Sequence, residues 1–184
     1  AHQYPDLPES DDFKVWISNK KIFTSTAGTS FKYGGGYTYR SFYSFANFDF
    51  KGSVDITVKS KNSIKWLEVL PSNLSIKPKM IDDYTFEFSL EEPSKITIIL
   101  NNDKRNVLHL LTNTIEGEKV DPEDENVLYF RGDKIYDIGV LDLKDNQTLY
   151  LESGAILKGM IRVKNAKNVN ILGRGMIQGT DNKS

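Results

Sequence analysis

The sequence predicts an all-β chain in two parts, an N-terminal β-sandwich followed by the opening coils of a parallel β-helix. Three observations carry this. Between Phe13 and about Leu111, short apolar runs recur between turn residues at the spacing of a sandwich. From Asn126 to Gly179 the chain repeats itself about every 20 residues, a solenoid period made of short β runs and Gly turns. No segment sustains the helical spacing of apolar residues over three turns.

The elements follow in order. Residues 1–12 are polar, contain Pro5 and Pro8, and read as an extended lead-in. Residues 13–115 form the sandwich. Val15-Trp16-Ile17 and Lys21-Ile22-Phe23 are short apolar runs, and the Gly34-Gly35-Gly36 tract breaks the chain into a loop. Tyr37 to Phe50 is dense in aromatics, which favour strands. Val54, Ile56 and Val58 alternate with polar residues, as do Tyr84, Phe86, Phe88 and Leu90, the mark of half-buried strands. Ile96 to Leu100 is an apolar run broken only by Thr97 and reads as a more buried strand. Val107 to Leu111 follows a polar turn. Residues 116–126, rich in Asp and Glu, read as the connection to the coils, which occupy residues 127–184.

Within the coils, Leu128-Tyr129-Phe130 answers Leu149-Tyr150-Leu151, and Leu141 to Lys144 answers Ile161 to Lys164. Gln147 to Gly159 aligns without a gap on Lys167 to Gly179. Leu149, Leu151, Ile156, Val169, Ile171 and Ile177 are expected to stack inward, like on like. A coil cannot bury its apolar face alone and is stabilised by neighbours on the stack. A piece ending at Ser184 is expected to associate or fray at that end.

Composition narrows the function. Charged residues make up 27% and the net charge is −1, so no whole-chain attraction to nucleic acid or anionic membrane is expected. No apolar run approaches the ~20 residues of a membrane span, so no membrane insertion is expected. The chain has no Cys, which excludes disulfides, thiolate metal sites and a Cys nucleophile. It has two histidines, His2 and His109, too few for a histidine-built zinc site. Neither a metal nor a cofactor is expected. The acidic pairs Asp11-Asp12, Asp82-Asp83 and Glu91-Glu92 and the run Asp121 to Glu125 lie in turns and read as solvated loop charge. Asp121, Glu123 and Glu125 have the oxygen ligands that Ca²⁺ takes, but their spacing fits no complete calcium loop.

The string DNQTLYLESGAILKGMIRVKNAKNVNILGRGMIQG, Asp145 to Gly179, resembles the opening coils of right-handed parallel β-helix (pectin-lyase-like) glycoside hydrolases, of the dextranase/isopullulanase and polygalacturonase type. The segments LPSNLSIKP, Leu70 to Pro78, and FSLEEPSKITIILNND, Phe88 to Asp103, add to the match. A sandwich placed before the helix is more similar to the dextranase-like arrangement. The resemblance implies the N-terminal part of a secreted polysaccharide-degrading hydrolase, its sandwich capping the first coil and helping to bind substrate. The substrate would be a dextran- or pectin-like polymer, a glucan or galacturonan. The start at Ala1-His2 fits signal cleavage, and the resemblance points to a bacterial protein, secreted, periplasmic or at the cell surface. In such enzymes the catalytic carboxylates sit on later coils. The Asn-Thr-Asp, Asp-Asp and Gly-His-Gly motifs of the polygalacturonases do not occur in the coil region here, so no catalytic residue is assigned and the carboxylates are expected beyond Ser184. By itself the 184-residue piece is expected to be inactive.

For substrate contact the candidates are Tyr33, Tyr37, Tyr39 and Tyr43, grouped around the Gly tract, because flat aromatic faces suit the apolar faces of pyranose rings. Core packing competes for the same residues, and Trp16 and Trp66 are expected in the core. His109 reads as a strand histidine with a local partner. Two other readings remain open: a non-catalytic carbohydrate-binding or cell-surface module, and a polysaccharide lyase on the same helix.

Overall fold

The computed structural model describes residues 1–32, 38–117 and 120–179, with the side chains at 29–32 and 38–40 outside that description. The chain divides into two compact units: Leu7–Ile115 with Ala1, and His2–Asp6 with Glu116–Ser184.

The first unit is a sandwich of two five-stranded sheets. One sheet has the order β2 (Lys20–Ile22), β1 (Phe13–Ile17), β5 (Val54–Ser60), β8 (Thr85–Leu90), β7 (Lys79–Asp82). The other has the order β3 (Ser25–Lys32), β4 (Thr38–Phe50), β10 (Asn106–Thr114), β9 (Lys95–Leu100), β6 (Leu67–Leu70). Neighbouring strands are antiparallel throughout, except that β4 and β10 run parallel. Alternation of side chains along each strand builds the core. Val15, Ile56, Val58, Phe86 and Phe88 from the first sheet meet Ala46, Phe48, Ile96, Ile98, Leu108 and Leu110 from the second. Burying each of the larger side chains contributes about 1.5–3 kcal/mol. β9 lies inside its sheet, and Ile99 is buried on the face opposite Ile98, which accounts for the consecutive apolar residues Ile98-Ile99-Leu100 there. Tyr84 departs from the expected alternation. It falls in the turn before β8, where its N–H is taken by the Asp82 carboxylate at 2.7 Å, and its ring is exposed.

The second unit consists of two three-stranded parallel sheets. One contains β11 (Val127–Phe130), β13 (Thr148–Leu151) and β15 (Asn170–Gly173); the other contains β12 (Ile135–Leu143), β14 (Ile156–Val163) and β16 (Met176–Gln178). Strands alternate between the sheets along the chain, which is the path of a β-helix. Leu143, Leu149, Leu151, Ala155 and Leu157 form its interior, with Leu128, Phe130, Tyr136, Leu141, Ile161 and Val169 packed on them. The inward partner on β14 is therefore Leu157. Ile156, one residue earlier, faces the other way and is buried outside that cluster. Polar ladders run beside the apolar ones. Asn146 and Asn168, both at positive φ, bond to one another at 3.0 Å, and Asp142 pairs with Arg162 one coil on.

The polar lead-in is shared between the units. Residues 2–6 group with the coils, where Tyr4 is buried and its hydroxyl donates to the Arg174 carbonyl at 2.8 Å. Residues from Leu7 group with the sandwich, where the buried Ser10 hydroxyl meets Ser44 Oγ at 2.7 Å and accepts the Phe13 N–H.

Candidate functional site

The sandwich sheet β3-β4-β10-β9-β6 has a second face, opposite the core. The odd-numbered residues of its inner strands point there, since Leu108, Leu110, Ile96 and Ile98 occupy the core face. Strand pairing sets Phe45, His109, Thr97 and Leu70 in one row across the sheet, and sets Tyr43 beside Val107. Tyr43, Leu70, Thr97, Val107 and His109, together with Ser41, Glu68, Ile99 and Lys104, line a groove of about 430 Å³.

The groove has an aromatic wall and a polar rim. The Tyr43 ring meets His109 edge-on, with centroids 5.5 Å apart, and lies 6.3 Å from Phe45. The Thr97 hydroxyl and His109 Nδ1 are 2.9 Å apart. Burial holds the His109 imidazole below its ordinary pKa, so it is neutral near pH 7 and presents one donor and one acceptor nitrogen. Glu68 and Lys104 bring opposite charges to the same groove. A half-buried tyrosine with a neutral imidazole, a hydroxyl and two charged groups around it is suited to bind a polyhydroxylated ligand. Hydrolysis by a carboxyl pair has no counterpart here, because Glu68 is the groove's lone carboxylate.

Of the four expected sugar contacts, the structure places Tyr43 in this groove. Tyr33 and Tyr37 lie outside the described residues, as do the Tyr39 side chain and the Gly34-Gly35-Gly36 tract. His109 lies on β10 with Thr97 as its partner. The two tryptophans are not core residues. Trp66 is exposed, and its backbone is held instead by the Asn101 side chain, which accepts the N–H groups of Lys65 and Trp66. Trp16 is half-buried on the opposite face of β1 from Val15.

The β-helix unit carries a second aromatic group that the sequence reading did not single out. The Tyr129 and Tyr150 rings pack against each other one coil apart, tilted by 31° with 4.9 Å between centroids, and the Arg131 guanidinium lies 5.8 Å over Tyr129. The buried Tyr150 hydroxyl donates to Glu116 at 2.8 Å, and burial pushes its pKa well up. The signal was available in Leu-Tyr-Phe over Leu-Tyr-Leu, which sets a tyrosine outward between two inward apolar residues.

Several carboxylates of this unit are engaged in structural bonds. Asp142 is held below its usual pKa by the Arg162 guanidinium. Asp145 accepts the Lys167 N–H at 2.7 Å, and Glu152 accepts the Gly132 N–H at 2.8 Å. In the connection, Asp121 and Asp124 accept the N–H groups of Glu123 and Asn126, two residues on. These are turn-forming bonds that spend the ligand oxygens locally. Among the described residues, no three His, Asp or Glu side chains gather as a metal site would require. Among them also, no helix is long and apolar enough to cross a membrane.

No protein-family model matches the chain, and no curated protein matches it. A solved structure does match: Dex49A from Penicillium minioluteum, a dextranase, at a TM-score of 0.70 and 13% identity. The match covers 96% of this chain and 48% of that one, so the chain spans about half the length of its structural counterpart. The likeness establishes the fold: the chain is built as a β-sandwich followed by coils of a parallel β-helix, as in that glycoside hydrolase.

Proposed function

We propose that the chain is the N-terminal part of a secreted polysaccharide-degrading glycoside hydrolase whose catalytic carboxylates lie on coils beyond Ser184. What supports the reading is the order of parts. A sandwich leading directly into parallel coils superimposes over 96% of this chain on about half of a dextranase. The engagement of Asp137, Asp142, Asp145 and Glu152 in bonds within the present coils fits the same reading, since a general acid and its partner must be free to face a sugar. In this scheme the sandwich contributes to substrate binding through the Tyr43 groove, and bacterial secretion completes the assignment.

The test is sugar release. The native polypeptide, its length read from its intact mass, is incubated with dextran, pullulan and polygalacturonate. New reducing ends without absorbance near 235 nm mark a hydrolase; the absorbance of unsaturated products marks a lyase. A native polypeptide that ends at Ser184 and releases nothing removes the hydrolase assignment. The Tyr43 groove then favours the binding-module reading, which calorimetry with the same glycans decides.

A further inference from the structure

We infer that a cleft beside Phe42, on the core side of the sandwich sheet and separate from the Tyr43 groove, is a saccharide subsite that takes a neutral hexopyranose residue and rejects a uronate. The inference rests on the polysaccharide reading and adds to it the class of sugar.

Phe42 follows the alternation of β4 onto the same side as Ser44, Ala46 and Phe48, yet it is 55% exposed. It pairs with Gly28 on β3 and Asn106 on β10. Gly28 has no side chain to cover the ring. The position a Cβ would take there is 3.2 Å from the Phe42 Cδ1 and Cε1 atoms, so one flank of the ring rests on Gly28 while the ring stays largely open. An apolar ring with an open face beside polar groups is what the C–H face of a pyranose requires.

The ring borders a cleft of about 500 Å³ with Asp12, Asp103, Arg105 and Asn106 on its walls. The Asp12 carboxylate accepts from Asn106 Nδ2 at 3.2 Å, and Arg105 Nε stands 3.7 Å from Asp103. These planar groups accept from and donate to sugar hydroxyls with fixed direction.

Charge selects among sugars. Glu9, also at the cleft, is paired with Lys14 and Lys21 at 3.3 and 2.8 Å, and Asp103 is paired with Arg105. Asp11 and Asp12 have no cationic partner among the described residues and leave the cleft net negative. A galacturonate residue would bring a carboxylate against them, whereas a glucose residue brings only hydroxyls.

The test is a titration of the isotope-labelled 184-residue chain, followed by NMR, with isomaltotriose and with trigalacturonate. Isomaltotriose is expected to shift the Phe42 ring and Asn106 side-chain signals, and trigalacturonate to leave them in place. Phe42→Ala is expected to lower isomaltotriose affinity tenfold or more; should that variant misfold, the wild-type spectra still decide. Shifts confined to Tyr43 and His109 overturn the Phe42 subsite and leave the groove reading standing. Equal shifts with trigalacturonate overturn the sugar class. No shift with either ligand removes the subsite, while the hydrolase reading stands or falls on sugar release.

Discussion

If aligned aliphatic ladders hold the coils together, the cost of truncating a rung depends on its place in the stack. Leu149 sits in the ladder Leu128–Leu149–Ile171 with a rung on either side and is 0% exposed. Leu149→Ala removes its transfer energy and leaves a closed cavity, at about 3–4 kcal/mol. Ile171 is 47% exposed, so Ile171→Ala loses roughly half the burial of its removed groups and closes no cavity, at about 1 kcal/mol. Neither unit-wide melting nor tryptophan emission isolates the coils, because Trp16 and Trp66 both belong to the sandwich. Native-state hydrogen exchange of the β11, β13 and β15 amides reads the coils directly. At 1.4 kcal/mol per tenfold, Leu149→Ala should speed exchange at β13 by about 10²–10³-fold and Ile171→Ala by less than about tenfold. Equal effects at the two positions, or a change below tenfold for Leu149→Ala, would refute the ladder account.

Three further outcomes are expected. His109 binds its proton more weakly in the folded chain than in the unfolded chain, so the unfolded state gains the proton first as pH falls; stability contributed here is present above the ordinary histidine pKa and is lost below it. Urea midpoints at pH 7 and pH 5 should therefore differ more for the wild type than for His109→Gln, and identical differences would count against a buried neutral imidazole. The Thr24 hydroxyl is buried without a hydrogen-bond partner among the described residues, so Thr24→Val should be neutral or stabilising by up to about 1 kcal/mol in the same titration, whereas a loss above that would mean the hydroxyl is bonded. Gly173 has φ +107° and a Cβ there would lie 2.0 Å from the Leu151 oxygen, so Gly173→Ala should cost about 1–3 kcal/mol and speed exchange in β15, and unchanged exchange would mean the corner relaxes freely.

Legibility followed the range of the interactions. Strands β5, β8 and β9 were readable because alternation is a local consequence of the pleat, and Val54, Ile56, Val58, Phe86 and Phe88 all face the core. Tyr84 kept the alternating pattern and still left the strand, because the Asp82 carboxylate captures its N–H and forms the turn first. The Tyr43 groove was half legible. Tyr43 stood out as an aromatic beside a glycine tract, but His109 joins it only through the parallel pairing of β4 with β10, about 64 residues apart. Alternation along either strand carries no information about that partner. Phe42 was passed over because an aromatic on the core side of a strand reads as core; its exposure follows from Gly28 beside it and from the polar wall around it.

The coil register shows how a repeat can be right in period and wrong in detail. A gapless alignment sets Leu149 over Val169, 20 residues on, whereas the structure sets Leu149 over Ile171 at the 22-residue spacing of the Asn146–Asn168 ladder. By the next sheet Leu157 lies over Ile177, back at the 20-residue spacing of Asp142 and Arg162. The corner between β15 and β16 is thus two residues shorter than the corner between β13 and β14. Because strand side chains alternate with a period of two, a difference of two keeps inward residues inward, and the apolar pattern survives the misalignment. A difference of one would have turned the ladder inside out and betrayed itself as a polar core. The short corner is drawn over the Leu151 carbonyl, which accepts the N–H groups of both Arg174 and Gly175 at 2.8 and 3.1 Å. Gly173 lies within Cβ-clash distance of that same oxygen, so the shortening and the glycine are one feature. The Gly-Arg-Gly triplet at 173–175 is therefore explained by a backbone turn closing on the coil beneath it.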